Sequence, residues 1–177
     1  MDLPQFWQLV DSTHGQPDRA ERLAQLLQAH TPDEIIQFRL LYDDLLQTAN
    51  RVDLWGAAAT INGHCTDDDF VYFREALIEL GRSVFEAAVD DPDSLAGVAT
   101  PGLEIKGTEG LGNAPAMAWA ARTGGTEDAF FEAVDATDTR TDRGAAEEGA
   151  WWDFDDRDEV RLRLPRLAAQ FLTADGE

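Results

Sequence analysis

The chain has 177 residues, 44% of them apolar, with no run long enough to span a membrane; that suits one globular domain with a sizeable core. Acidic residues outnumber basic ones 35 to 14, for a formal charge of −21, a field that repels nucleic-acid phosphates and anionic membranes and attracts basic partners. One cysteine excludes an internal disulfide and no export leader is visible, so the cytoplasm is the expected compartment.

Asp2 and Gln5 form a capping-box pattern and open a first helix with Leu3, Phe6, Trp7 and Val10 on one face. Phe6 and Trp7 are expected to dock into the core and tie down the terminus. After a loop over 12–16, Pro17 suits the first turn of a second helix, with Ala20, Leu23, Ala24 and Leu27 inward and His30 near its end. Thr31, Pro32 and Glu34 make the clearest helix start in the chain. That helix is expected to reach about Asn50, burying Ile35, Phe38, Tyr42, Leu45, Leu46 and Ala49. Asp43 and Asp44 diverge by about 100° on a helix, so a solvated face is expected in place of a shared site near Trp55.

The stretch Asp53–Pro92 organises the rest. Leu54, Trp55, Ala58, Ala59 and Ile61 carry helical apolar spacing, closed by Asn62-Gly63. Thr66 stands where an N-cap should, and Asp67, Asp68 and Asp69 face the positive end of the next helix. Phe70, Phe73, Leu77 and Leu80 make its apolar stripe, ending at Gly81. The candidate binding set is Trp55, His64, Cys65, Asp67, Asp68 and Arg74, polar and aromatic groups crowded around one tight turn. Cys65 beside His64 lacks the further ligands of a zinc site, and the aspartates lack the alternation of a calcium loop. Adjacent turn residues seldom hold a nucleophile and its base face to face. A capped helix start with a small buried thiol therefore outweighs a catalytic site, and no catalytic residue, metal or cofactor is assigned.

Arg74 and Arg82 have many acidic neighbours, which favours structural ion pairing over anion binding. Ser83–Asp90 continues as a helix, with Val84, Phe85, Ala88 and Val89 inward. Asp91 and Pro92 then start a short turn anchored by Leu95. The glycine-rich stretch 97–112 reads as a mobile surface loop; Gly110 and Gly112 lack the strand and third glycine of a dinucleotide fingerprint. A helix from Asn113 and Pro115 carries Ala116, Met117, Trp119 and Ala120 and stops at Gly124-Gly125. Thr126 caps the next, with Phe130, Phe131 and Val134 inward. Residues 135–150 lack periodicity and read as a flexible excursion. Trp151, Trp152 and Phe154 then precede a helix through Arg163 and a last one from Pro165 to about Leu172. The aromatics are expected to dock the tail, ahead of serving as a partner patch.

FWQLVD near the start, DLWGAAATINGHCTDDDFVYFREALIELGRSVFEAAVDDPDSLAG in the centre and WWDFDDRDEVRLRLPRLAAQF at the end resemble a bacterial family known as domain of unknown function 4240. The resemblance is specific in the centre and extends over nearly the whole chain. His64, Asp69 and Ala76 depart from the Gly, Gly and Trp usual there, which weakens a strict glycine-dependent loop. No activity comes with the resemblance.

These readings predict an all-α fold: a single helical domain over 1–177, a compact multi-helix bundle around the helix-turn-helix pair at about 53–81. The turn is acidic and no basic recognition helix follows, so no nucleic acid is expected. The functional expectation is an acidic cytoplasmic protein-interaction or regulatory module, non-catalytic, with a basic protein partner. Arginine-dominated cations and abundant Ala, Asp and Gly suit a GC-rich, actinobacterial source. The alternative is a small-molecule binder or enzyme with a pocket near Trp55 and the Asp67–Asp69 turn.

Overall fold

A computed structural model describes residues 1–107, 110–140 and 147–172. In chain order the helices are α1 (Leu3–Asp11), α2 (Arg19–Leu27), α3 (Pro32–Thr48), α4 (Val52–Asn62), α5 (Asp67–Glu79) and α6 (Arg82–Asp90). A 3-10 helix (Pro92–Gly97) follows, then α7 (Gly110–Thr123), α8 (Glu127–Thr137), α9 (Arg157–Arg163) and α10 (Pro165–Phe171). No strand occurs among the described residues, and one isolated bridge pairs Arg51 with Glu148. The fold is all-α. No helix among them is long and apolar enough to cross a membrane.

Two compact units share the chain, each assembled from two segments: Met1–Gln47 with Thr108–Ala145, and Thr48–Gly107 with Ala146–Glu177. In the first, Asp2 and Gln5 complete the capping box of α1, and Thr31 and Glu34 exchange the same pair of bonds before α3. Phe6 and Trp7 are buried, and Phe6 packs on Phe38 with ring centroids 4.5 Å apart. Fully burying one such side chain is worth about 1.5–3 kcal/mol, which fixes the otherwise free start of the chain.

Several expectations shift here. The second helix begins at Arg19 and not at Pro17, because Asp18 adopts a left-handed conformation (φ 54°) just before it. Leu3 lies partly exposed, off the face that buries Phe6, Trp7 and Val10. Helix α7 starts at Gly110, ahead of Asn113, so Gly112 belongs to a helix and not to a loop. Gly112 is buried where α7 packs on α3, with a Cβ at that position 3.4 Å from the Tyr42 hydroxyl, an ordinary contact distance. Ala114, Pro115, Ala116 and Ala118 are buried, whereas Met117 is exposed.

Asp43 and Asp44 do meet one shared partner. The Arg140 guanidinium donates to Asp44 Oδ1 at 2.6 Å and lies 3.7 Å from Asp43 Oδ2. It also donates to both oxygens of Asp138, a carboxylate whose side chain is 1% exposed, and to the Leu40 carbonyl. A planar fork with five N–H groups spans carboxylates that diverge on their own helix. Burial pushes the Asp43 carboxyl above its ordinary value, against the opposing pull of Arg39 and Arg140. Of the stretch 135–150, then, residues to Thr137 lie in α8 and Asp138–Arg140 in this ion cluster, while 141–146 fall outside the described residues.

The second unit is built on α4, whose residues Val52, Leu54, Trp55, Ala57, Ala58 and Ile61 are buried. Gly63, left-handed at φ 81°, ends it as the Asn-Gly pair implies. Phe70, Phe73 and Leu77 of α5 are buried, but Leu80 is partly exposed, just past the end of the helix. Two contacts dock the tail. Trp152 fills a notch at Gly56, where a Cβ would lie 2.1 Å from its Cζ2, and its indole N–H donates to Asp53 at 3.0 Å. The second is a clamp on Asp93, whose Oδ1 accepts from the Leu167 N–H (2.8 Å) and whose Oδ2 accepts from the Arg166 N–H (2.9 Å) and Nε (3.0 Å). A buried carboxylate thereby caps α10 from a distant part of the sequence, with Asp91 also pairing Arg166.

Candidate functional site

The turn 63–69 follows from its sequence. Gly63 reverses the chain, and the Thr66 hydroxyl accepts from the Asp69 N–H at 3.3 Å. Asp69 returns the bond through Oδ2, taking the Thr66 N–H at 3.1 Å and hydroxyl at 2.7 Å. These bonds, the Thr66 hydroxyl first, hold the Asp69 carboxyl below its ordinary value. The third aspartate of the triplet is thus engaged as a capping partner.

The Trp55 indole N–H donates to the Cys65 carbonyl at 3.0 Å, so the buried tryptophan ties the turn to α4. Cys65 is half-buried, and burial followed by the charges of Asp69 and Asp67 pushes its thiol up to about 12. Such a sulfur stays protonated at neutral pH and is a poor nucleophile. His64 is 74% exposed at the side chain, with Nε2 3.8 Å from Asp69 Oδ2. Asp67 and Asp68 lie exposed on the first turn of α5. Arg74 places its guanidinium 4.9 Å over the Phe70 ring, and its Nε donates to the Phe70 carbonyl at 3.4 Å.

Lys106 completes the surroundings, with Nζ 3.7 Å from Asp69 Oδ1 and 5.2 Å over the Tyr72 ring. Its segment is strapped in place: the Asn62 side chain exchanges two bonds with the Ile105 backbone, and the Gly107 N–H donates to the Tyr72 carbonyl. Glycine is required at 107, since a Cβ would sit 2.8 Å from both that carbonyl oxygen and Glu75 Cβ. The stretch 97–112 therefore includes a held edge at 105–107 as well as the first turn of α7, with 108–109 outside the described residues.

Asn62, His64, Asp69, Glu104 and Lys106 wall a groove of about 90 Å³. Of the six candidate residues only His64 lines it. Trp55 and the Cys65 carbonyl tie the turn to α4, Arg74 packs on Phe70 of its own helix, and Asp67 and Asp68 face solvent. Lys106 and Glu104 escaped the sequence reading because they lie some forty residues from the turn; that Lys106 is the sole lysine was the one available signal. Among the described residues no three His, Cys, Asp or Glu side chains converge as metal ligands.

The family described as Protein of unknown function (DUF4240) matches residues 1–124, most of the chain, so this protein belongs to it. The match takes in the turn 63–69 and the clamp carboxylate Asp93, and ends before the tail that Asp93 holds. No curated protein and no solved structure matches the chain.

Proposed function

We propose that this chain is an acidic, non-catalytic interaction or regulatory module of the bacterial cytoplasm whose partner is a basic protein. The observation that carries the reading is charge: 35 acidic residues face 14 basic ones, and Asp67, Asp68, Asp153, Asp155, Asp156 and Asp158 all lie exposed. Such a field accelerates encounter with cationic surfaces and disfavours phosphate-rich ones. The structural engagement of Thr66, Asp69, Trp55 and Arg74 supports the non-catalytic part.

The test is affinity capture from the host lysate at low and high salt, followed by rebinding with the purified partner. The expected result is a stoichiometric basic protein that rebinds in isolation and is released by salt. An empty bait at low salt, where screening is weakest, overturns the reading.

The groove favours a second reading, a small-molecule binder or enzyme beside the Asp67–Asp69 turn. Its volume, about 90 Å³, falls below the roughly 300–1,000 Å³ of ordinary ligand pockets, so it ranks behind. A compound that raises the melting temperature of wild type but not of Lys106→Ala would reverse that order.

A further inference from the structure

The second unit carries a continuous run of aromatic rings with an arginine at each end. Arg74 lies 4.9 Å over Phe70, which stacks on Trp55 at 4.6 Å and 18°. Trp55 meets Trp151 edge-on at 5.1 Å, and Trp151 contacts Phe154 at 5.5 Å. Phe154 meets Trp152 at 4.7 Å, and Arg163 lies 5.2 Å over the Trp152 ring. The two end rings hold guanidinium groups from the chain itself. The middle ring, Trp151, is 57% exposed, the largest exposed aromatic among the described residues. Asp153, Asp155 and Asp156 follow it within five residues, all exposed.

We infer that Trp151 is the seat for an arginine side chain of the basic partner, the exposed counterpart of the Arg74–Phe70 and Arg163–Trp152 stacks. This rests on the interaction reading above and specifies where the partner's chain is held. Three physical points carry it. A tryptophan face is the strongest of the aromatic cation acceptors, and arginine uses it more often than lysine does. Trp151 is backed by Trp55 and Phe154, so its ring is already placed and little rotamer freedom is lost on binding. The neighbouring carboxylates supply charge complementarity that an apolar partner would not use. Diffuse charge alone attracts any basic chain; a fixed indole among carboxylates adds position and a preference for guanidinium over ammonium.

The probe is a synthetic arginine-rich peptide with a lysine counterpart of equal charge, titrated at about 10 mM salt, where the Debye length is about 30 Å. Wild type is expected to bind the arginine peptide more tightly than the lysine one, and the Trp151 indole N–H resonance to move during the titration. Trp151→Ala is expected to weaken arginine-peptide binding about 3- to 30-fold, with Trp151→Phe in between. Equal binding by wild type and a folded Trp151→Ala overturns the seat and leaves the interaction reading standing. No binding by wild type to either peptide overturns both. Should Trp151→Ala fail to fold, the wild-type spectrum decides: a shift at Trp151 supports the seat, and shifts confined to other indoles overturn it.

Discussion

Two acidic regions of the second unit begin alike and end with different consequences. At 66–69 and again at 91–93 a polar side chain caps a helix start, with Asp67, Asp68 and Asp69 in the turn that follows the first cap and Asp93 in the turn that follows the second. Asp69 turns back three residues to Thr66 in a local cap at the surface, and meets Lys106 outward. Asp93 is buried and reaches across the sequence to Arg166 and Leu167, satisfying backbone donors that nothing else on its own helix would satisfy. The residue type is the same, so burial and sequence separation decide what each carboxylate does. Most of the charge sets the field around the molecule, and a few carboxylates hold the fold.

Asp93→Ala should have the largest effect. It leaves two α10 backbone N–H groups without their acceptor and the Arg166 guanidinium with Asp91 alone, and about 2–3 kcal/mol of stability is expected to go. Urea unfolding followed by circular dichroism measures it, and a loss below about 0.5 kcal/mol would place Asp93 with ordinary surface positions. Gly56→Ala follows, at about 1–3 kcal/mol. The added methyl displaces Trp152 from its notch and, with it, the Asp53 hydrogen bond. A blue or red shift in tryptophan emission should accompany the change in melting temperature, and unchanged emission would argue that Trp152 had stayed put.

Thr66→Ala tests the local side of the comparison and is expected to cost about 1 kcal/mol at neutral pH. Because the Asp69 carboxyl is held below its ordinary value, its contribution is present above that value and lost as pH falls through the folded one. The gap between wild type and Thr66→Ala should therefore narrow below about pH 4. A gap that stays constant from neutral to acid would detach Asp69 from the cap.

The smallest stability effect belongs to Cys65. Its thiol is raised to about 12, so its contribution is complete below the ordinary thiol range and lost as pH climbs toward that raised value. The sharper readout is chemical: iodoacetamide at about pH 8 should label the folded protein at least ~100-fold more slowly than the urea-unfolded one. Comparable rates would mean that the sulfur is neither desolvated nor opposed by Asp67 and Asp69.

Local chemistry was readable from the chain, and long reach was not. The caps at Asp2, Thr31, Thr66 and Asp91, and the breaks at Gly63, Gly81 and Gly124, depend on residues a few positions apart. Capping energies are set at that range, so they show as pattern. Arg166 on Asp93, Trp152 on Asp53, Arg140 across Asp43 and Asp44, and Asn62 on Ile105 join positions 43 to 99 residues apart. Nothing in the neighbourhood of either partner signals the other. Gly110 and Gly112 misled for a different reason: glycine is a poor helix former, yet both lie in the first turn of α7, where Gly112 is buried against Tyr42. At the candidate site the tight turn and its cap were legible, whereas the opposite wall at Glu104 and Lys106 arrives from a later segment.

The Asp93 clamp also sets a timetable. During synthesis Asp93 and Gly56 leave the ribosome well before Arg166 and Trp152, and translation of the intervening stretch takes on the order of several seconds. Over that interval the nascent second unit carries a carboxylate without its guanidinium and an empty notch on α4. It completes only when the tail emerges, so ribosome-bound chains halted after Thr123 should remain protease-sensitive where the released protein resists.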